Sequence, residues 1–391
     1  MKISMCQAIG GVSGPLKDFY ADYFREQGHV VEPLPQQGSM AAIGDLLFSI
    51  NFVPDIAKLA KALKKPYVAW LSDAWLNPRL NDKDCVSDYS ILLHFSRNDL
   101  EKSQRLGYRH AYFLPRPIDI APFLKASEAG GERGYPLVFV GNCYLEEQSE
   151  YRLFKRQYLA QNIPPEYGLN TLESYLAQTQ FDLVTPAHTL FSAWIQAHDP
   201  DFLKRVPLPD STIARDLNDG FLAWMVDHLL GHEMDWRARQ TLVRSLAPLG
   251  VHVWGDEKGW APCVPDGIHY HGSTRSAGES ASVLCQARIC VNMARRFSDG
   301  VIFRTYEAPA SGGLQLAIHH PDVAAMFEED QEIVFFRTFD EARDKAAFYL
   351  KHDEARERIA QAGRARVARD HTIRNRYQEI QTRLSSLGIS L

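Results

Sequence analysis

Residues Ser90–Leu114 read SILLHFSRNDLEKSQRLGYRHAYFL, and this stretch decides the fold class. Ser90–Phe95 is an apolar run of strand length. Asp99–Leu106 is helical in character and stops at Gly107, and Ala111–Leu114 is apolar again before PRPID. A strand, a short helix and a second strand form a crossover, and crossovers build parallel sheets covered by helices. The alternation extends upstream. It predicts strands at Lys2–Gln7, His29–Leu34, Asp45–Ile50 and Pro66–Leu71, with helices at Leu16–Gln27 and Pro54–Leu63. Residues 1–124 are therefore expected to form one Rossmann-like domain.

Downstream, residues 125–136 contain AGGERG and read as a linker, after which PLVFVG begins a new strand at Pro136. From about 145 to 246 the pattern turns helical, as in FLAWMVDHLL (Phe221–Leu230) and WRARQTLVRSL (Trp236–Leu246). This segment reads as a mostly helical insertion whose aromatic stripe is core. Alternation resumes with VHVWG (Val251–Gly255) and GIHYHG (Gly267–Gly272). It continues through a helix at Glu279–Gln286 and a strand at Ala287–Asn292. A helix at Phe303–Ser311, strands at Leu314–Ile318 and Ile333–Phe336, and a helix at Phe339–Leu350 follow. The tail Asp353–Leu384 is amphipathic and helical, with breaks expected near Gly363 and His371. The reading is α/β: a second Rossmann-like domain over 137–370 that contains the insertion, then a terminal segment at 371–391.

Composition limits the function classes. The 391 residues are 45% apolar and 23% charged, as in a soluble globular chain. The net charge of −5 argues against a general nucleic-acid binder, which needs concentrated positive charge. Cys6, Cys85, Cys143, Cys263, Cys285 and Cys290 form no CxxC pair and read as reduced, mostly buried thiols. No window of 18 consecutive apolar residues exists, so no membrane-spanning helix is expected; the reduced thiols point to a cytoplasmic protein, with peripheral contact at the inner membrane face left open.

Ligands of parallel sheets gather at the carboxyl ends of the strands, and two such domains are expected to face each other across a cleft. Asp73, in SDAW after PYVAWL, is placed to orient a sugar hydroxyl or accept a proton, or else to cap a turn. Trp75 beside it packs on a sugar face or shapes the loop. The glycines of AIGGVSGP (Gly10, Gly11, Gly14) allow close backbone approach but lack dinucleotide spacing. Gly141 and Asn142 form a loop after a strand. The stretch SDGVIFRTYEAPASGG, Ser298–Gly313, carries most information. A helix starting near Gly300 would direct free N–H groups at a diphosphate. Arg304 would add fixed donors to phosphate, Glu307 would accept from ribose hydroxyls, and Asp299 would face the sugar. Arg295 and Arg296 would neutralise a leaving group. An ordinary capped helix with surface charges fits the same spacing. His94 and His271 end strands, and no histidine spacing predicts a metal centre. The arginines from Arg356 to Arg376 read as a solvated helix face, with an anionic surface as the sharper alternative.

The ordered pieces PYVAWLSDAW, YFLPRPID, LVFVGN, VHVWG, IHYHG, ARICVNM, DGVIFRTYEAPASGG and the tail Tyr349–Ile380 resemble the CgeB-like (spore-maturation-like) glycosyltransferases of the GT-B superfamily. They cover most of the chain outside the helical segment. The resemblance implies a GT-B architecture whose final helix crosses back to the first domain. It implies transfer of a sugar from a nucleotide-sugar donor to a glycan, lipid-linked or protein acceptor, with retention; helix N–H groups and Arg296 or Arg304 would stabilise the leaving group, so neither a metal nor a tightly bound cofactor is expected. It also implies nucleotide contacts near Tyr270, His271 and Gly272, and phosphate contacts near Gly141, Arg296, Gly300 and Val301. Two glutamates with seven residues between them mark the donor site of related retaining enzymes, and Asp299 and Glu307 match them, the first shortened by one methylene. An epimerase or phosphorylase of the same fold, or a silent glycan- or nucleotide-binding protein, remains open. Nucleotide base, donor sugar and oligomeric state are not specified.

Overall fold

The computed structural model describes residues 1–6, 13–35, 42–71, 78–128, 133–143, 150–177, 183, 187–205, 230–294 and 300–391. The chain divides into two compact units. The first comprises Met1–Asp119, Asp299–Phe303 and Ala368–Leu391, and the second Ile120–Ser298 and Arg304–Val367.

The first unit holds a six-stranded, wholly parallel sheet of β1 (Lys2–Met5), β2 (Val30–Pro33), β3 (Leu46–Ile50), β4 (Tyr67–Trp70), β5 (Ser90–His94) and β6 (His110–Phe113). Their order is β2-β1-β3-β4-β5-β6. Every residue of β3, β4 and β5 is buried, because helices cover both faces of a parallel sheet. The two-residue period sorts them cleanly. Phe48, Ile50, Val68, Trp70, Ile91 and Leu93 enter one core, while Leu47, Tyr67, Ala69 and Leu92 enter the other.

Helices α1 (Ser13–Glu26), α2 (Pro54–Leu63) and α3 (Arg97–Arg105) make the crossovers. The third starts two residues before Asp99 because the Ser96 hydroxyl caps it, accepting from the Asp99 amide at 3.2 Å. Gly107 ends it at φ +101°, a conformation that glycine adopts without strain. The C-terminal helix Ile373–Ser385 buries Tyr377, Ile380 and Leu384 in the same core as Trp70. Arg376 fastens it, donating through Nε to the Pro115 carbonyl at 2.7 Å and pairing with Glu379 at 2.6 Å.

The second unit repeats the plan with β7 (Tyr135–Val140), β8 (Val251–Trp254), β9 (His269–Tyr270), β10 (Ala287–Asn292), β11 (Leu314–Ile318) and β12 (Val334–Phe336). Their order is β12-β11-β10-β7-β8-β9, again all parallel. Helix α4 (Ala121–Glu128) precedes β7. Between β7 and β8 lies the helical segment: α5 (Glu150–Ala160), α6 (Leu169–Leu176), α7 (Ala187–His198) and α8 (Gly231–Leu246). It has its own core, in which Tyr158, Tyr175, Phe191 and Phe202 are buried with Leu172 and Met234, so those aromatics of the stripe are core. Of the stretch Phe221–Leu230, Leu230 alone falls among the described residues, and it is buried in this core. The longer helices that follow are α9 (Ala277–Cys285), α10 (Arg304–Ala310), α11 (Phe339–Lys351) and α12 (Asp353–Asp370).

Two expectations for the tail are corrected. Helix α12 runs unbroken through Gly363. A Cβ there would lie 2.4 Å from the Glu332 carbonyl oxygen, so the glycine serves close packing rather than a break. Arg356 and Arg376 are buried rather than solvated: Arg356 donates to the Tyr349 carbonyl and to Asp353, and Arg376 to the Pro115 carbonyl and to Glu379. All six cysteines are free thiols, five of them buried.

Candidate active site

In the second sheet the chain steps from β7 outward through β8 to β9, then returns to place β10 on the other side of β7. That reversal is a topological switch point, and it opens a crevice outside the carboxyl ends of β7 and β10. Gly141–Cys143 and Met293–Ala294 follow those two strands. Arg239 of α8 ties them together: its guanidinium donates to the Asn142 carbonyl and, at 2.9 Å, to the Met293 carbonyl. The side chain is buried, 5% exposed, so it acts as a fixed strut.

The β7 loop is held from the β8 side as well. The Gly141 amide donates to the Trp254 carbonyl at 2.8 Å, and the Gly141 carbonyl accepts from Trp260 Nε1 at 2.9 Å. Asp256 accepts from the Cys143 and Gly259 amides. Gly255 leaves no room for a side chain, since a Cβ would lie 2.2 Å from the Gly141 oxygen.

The β9 loop carries Tyr270, His271 and Gly272. The Tyr270 hydroxyl donates to the Gly255 carbonyl at 3.0 Å, so its polar end serves the loop itself. The His271 ring lies parallel to Trp254, with centroids 4.2 Å apart, and its Nε2 is 2.8 Å from His252 Nδ1. One of two hydrogen-bonded imidazoles must accept, so the pair is held short of double protonation. Burial first, then His269 and His271, press the His252 pKa down to about 4, and burial also lowers that of His271. The stack is therefore neutral and flat at pH 7. Gly272 adopts φ +82° beside open space, and its carbonyl accepts from the Gly255 amide.

Helix α10 follows β10 and leads into β11, so its first turn lies toward the carboxyl ends of the sheet. Arg304 and Glu307, one turn apart, form an ion pair at 2.6 Å, both partly buried. The helix does not start near Gly300. It starts at Arg304, and ahead of it Val301 is buried with its amide already bonded to a carbonyl outside the helix. Gly300 and Val301 consequently differ from the expected free phosphate donors. The Val301 amide donates to the Phe95 carbonyl at 3.0 Å, and a Cβ on Gly300 would meet the Phe95 ring at 2.7 Å. Both belong with Phe95 in the first unit.

Asp73, Trp75, Arg295, Arg296 and Asp299 lie outside the described residues, as do Gly10 and Gly11. His94 is buried, with no partner for Nε2 among the described residues. Among those residues no three His, Cys, Asp or Glu side chains form a group able to hold a metal ion. Nor is any helix among them long and apolar enough to cross a membrane. Sequence reasoning missed Arg239, Asp256 and Trp260. A signal for the first was present: Arg239 shares a helix face with Leu242, Val243 and Leu246, all buried.

Three comparisons bear on this geometry. The sequence model of the Glycosyl transferase-like family matches residues 237–382, which include Arg239, the β9 loop and the Arg304–Glu307 pair. In structure, the chain is similar to Anabaena HepE in complex with UDP and glucose: TM-score 0.56, 12% identity, 99% of this chain and 100% of that one. The fold is GT-B. GT-B likeness extends to sucrose-phosphate synthase from Thermosynechococcus elongatus (TM-score 0.57, 10% identity, 99% of each chain). It extends also to a glycosyltransferase from Rickettsia africae (TM-score 0.53, 9% identity, 99% of this chain and 98% of that one). No curated protein matches the chain by sequence.

Proposed function

We propose that this GT-B protein is a retaining, CgeB-like glycosyltransferase that moves a sugar from a nucleoside-diphosphate donor to a glycan, lipid-linked or protein acceptor. The observation that carries the reading is the switch-point crevice of the second unit, with its two loops tied by Arg239 and the Arg304–Glu307 pair on the helix after β10. The complexes of Anabaena HepE with UDP-glucose and with UDP support the choice of donor class.

In this reading the neutral His271 stack and the Tyr270–Gly272 loop receive the nucleotide, and Glu307 accepts from its ribose hydroxyls. Arg304 bonds the diphosphate once that group competes with Glu307 for the guanidinium. Gly141 and Asn142 border the phosphates, and Gly300 and Val301 take that role only after giving up Phe95. Asp299 contacts the donor sugar and Arg296 the departing diphosphate. The bond from the anomeric carbon to the diphosphate oxygen breaks, the acceptor oxygen bonds that carbon, and its proton leaves to a carboxylate such as Asp73 or to the diphosphate. The arginines supply the neutralising charge, so no metal is assigned a step.

Product analysis tests this. The purified chain, given a donor it binds and a panel of acceptors, should yield a glycosylated product and free nucleoside diphosphate. Epimerised donor formed without an acceptor, sugar phosphate formed from inorganic phosphate, or binding with no turnover would each replace the transferase reading.

A further inference from the structure

The helical segment of the second unit encloses a groove of about 720 Å³ between α5, α6 and α8. This volume suits a small molecule rather than a bare ion, by comparison with ordinary ligand pockets of roughly 300–1,000 Å³. On α5, Arg152, Lys155, Arg156 and Leu159 follow one another at helical spacing and share the face that lines it. Arg237 of α8 faces them, and Tyr151, Leu176 and Ala177 add an apolar and aromatic lining.

Among the described residues that line it, four cations, Arg152, Lys155, Arg156 and Arg237, meet two carboxylates, Glu173 and Glu233. Glu233 is buried and accepts from Arg152 Nε at 3.1 Å and Arg237 Nε at 3.2 Å, and Arg237 Nη1 also donates to the Leu176 carbonyl, which fixes both guanidiniums and leaves Arg237 Nη2 for a ligand. Lys155 pairs with Glu173. Arg156 makes no ion pair among the described residues. Cations thus outnumber carboxylates by two among these described residues, in a chain whose net charge is −5. A concave wall concentrates such a field. Guanidinium forks match phosphate oxygens, and a phosphomonoester carries close to two negative charges at pH 7.

We propose that this groove binds a phosphomonoester, with Arg156 and Arg237 contacting the phosphate and the Tyr151–Leu159–Leu176 wall taking the attached sugar or acyl body. The site shares no residue with those assigned to the donor, so it does not depend on the transferase reading. The ligand comes either from solution or from a lipid surface.

Isothermal titration of the full chain with glucose 6-phosphate and with glucose, and sedimentation with phosphatidic acid or phosphatidylcholine vesicles, separate these sources. Binding of glucose 6-phosphate but not glucose supports a soluble ligand, and binding of phosphatidic acid vesicles alone supports a lipid. In either case Arg156→Glu should weaken binding by about tenfold or more, the effect of losing a charge-assisted contact. Added salt should weaken it too. Arg156 is exposed, so this variant should fold, and an unchanged circular dichroism spectrum checks that. No binding by either phosphate probe, or Arg156→Glu binding as wild type does, would overturn the proposal.

Discussion

Replacing Gly255 with alanine puts a methyl carbon 2.2 Å from the Gly141 carbonyl oxygen and 2.5 Å from Trp260 Nε1. Cβ contacts below 3.0 Å do not persist, so the backbone must part by at least about 0.8 Å, the difference between 3.0 and 2.2. The obstacle is backbone, with no flexible side chain to swing aside. Parting strains the Gly141 amide bond to Trp254 (2.8 Å) and the Trp260 bond to Gly141 (2.9 Å). Overpacking costs about 1–3 kcal/mol, and one weakened hydrogen bond adds about 1 kcal/mol, so a loss of roughly 2–4 kcal/mol is expected. Urea unfolding followed by tryptophan fluorescence measures it. Gly134→Ala, where a Cβ meets nothing within 4 Å, serves as the control and should change little. Gly255→Ala within about 0.5 kcal/mol of wild type would refute the packing argument.

Three further outcomes are expected. His94 is held neutral by burial with its pKa pressed down to about 3, so as pH falls below about 6.5 the unfolded chain takes up a proton that the folded chain refuses. About 2 kcal/mol of stability should be lost between pH 6.5 and 5, and a His94→Phe variant whose pH–stability curve is as steep as wild type's would contradict this. Gly363→Ala drives a Cβ into the Glu332 carbonyl at 2.4 Å and should cost about 1–3 kcal/mol in the same urea assay, whereas a helix-favouring gain in stability would show the contact to be slack. Ser96→Ala removes the cap of α3 and should cost about 1 kcal/mol, with Ser96→Asp restoring most of it in thermal unfolding.

Strand positions were legible because buried parallel strands are short apolar runs between turn residues. Ala287–Asn292 and Leu314–Ile318 coincide with the observed β10 and β11 to the residue. Helix starts were less so, since a cap lies ahead of the apolar pattern: Ser96 and Ser276 begin their helices two residues before the pattern becomes visible. Gly363 and Gly107 look alike in sequence, but one lies inside a helix against a neighbouring carbonyl and the other ends a helix at positive φ. The candidate site was legible only where it is local. Arg304 and Glu307 sit one turn apart on a helix that the pattern indicated. Arg239 joins loops that follow strands β7 and β10, and only the strand order brings those loops together.

Native mass spectrometry of the intact chain against UDP-, GDP- and TDP-sugars tests the donor site most directly, with Glu307→Ala compared in parallel. At least one nucleotide sugar should bind the wild-type chain, and Glu307→Ala should bind it about tenfold or more weakly, as expected when a charge-assisted contact is lost. A chain that retains none of these donors, or a Glu307→Ala variant with wild-type affinity, would contradict the assignment.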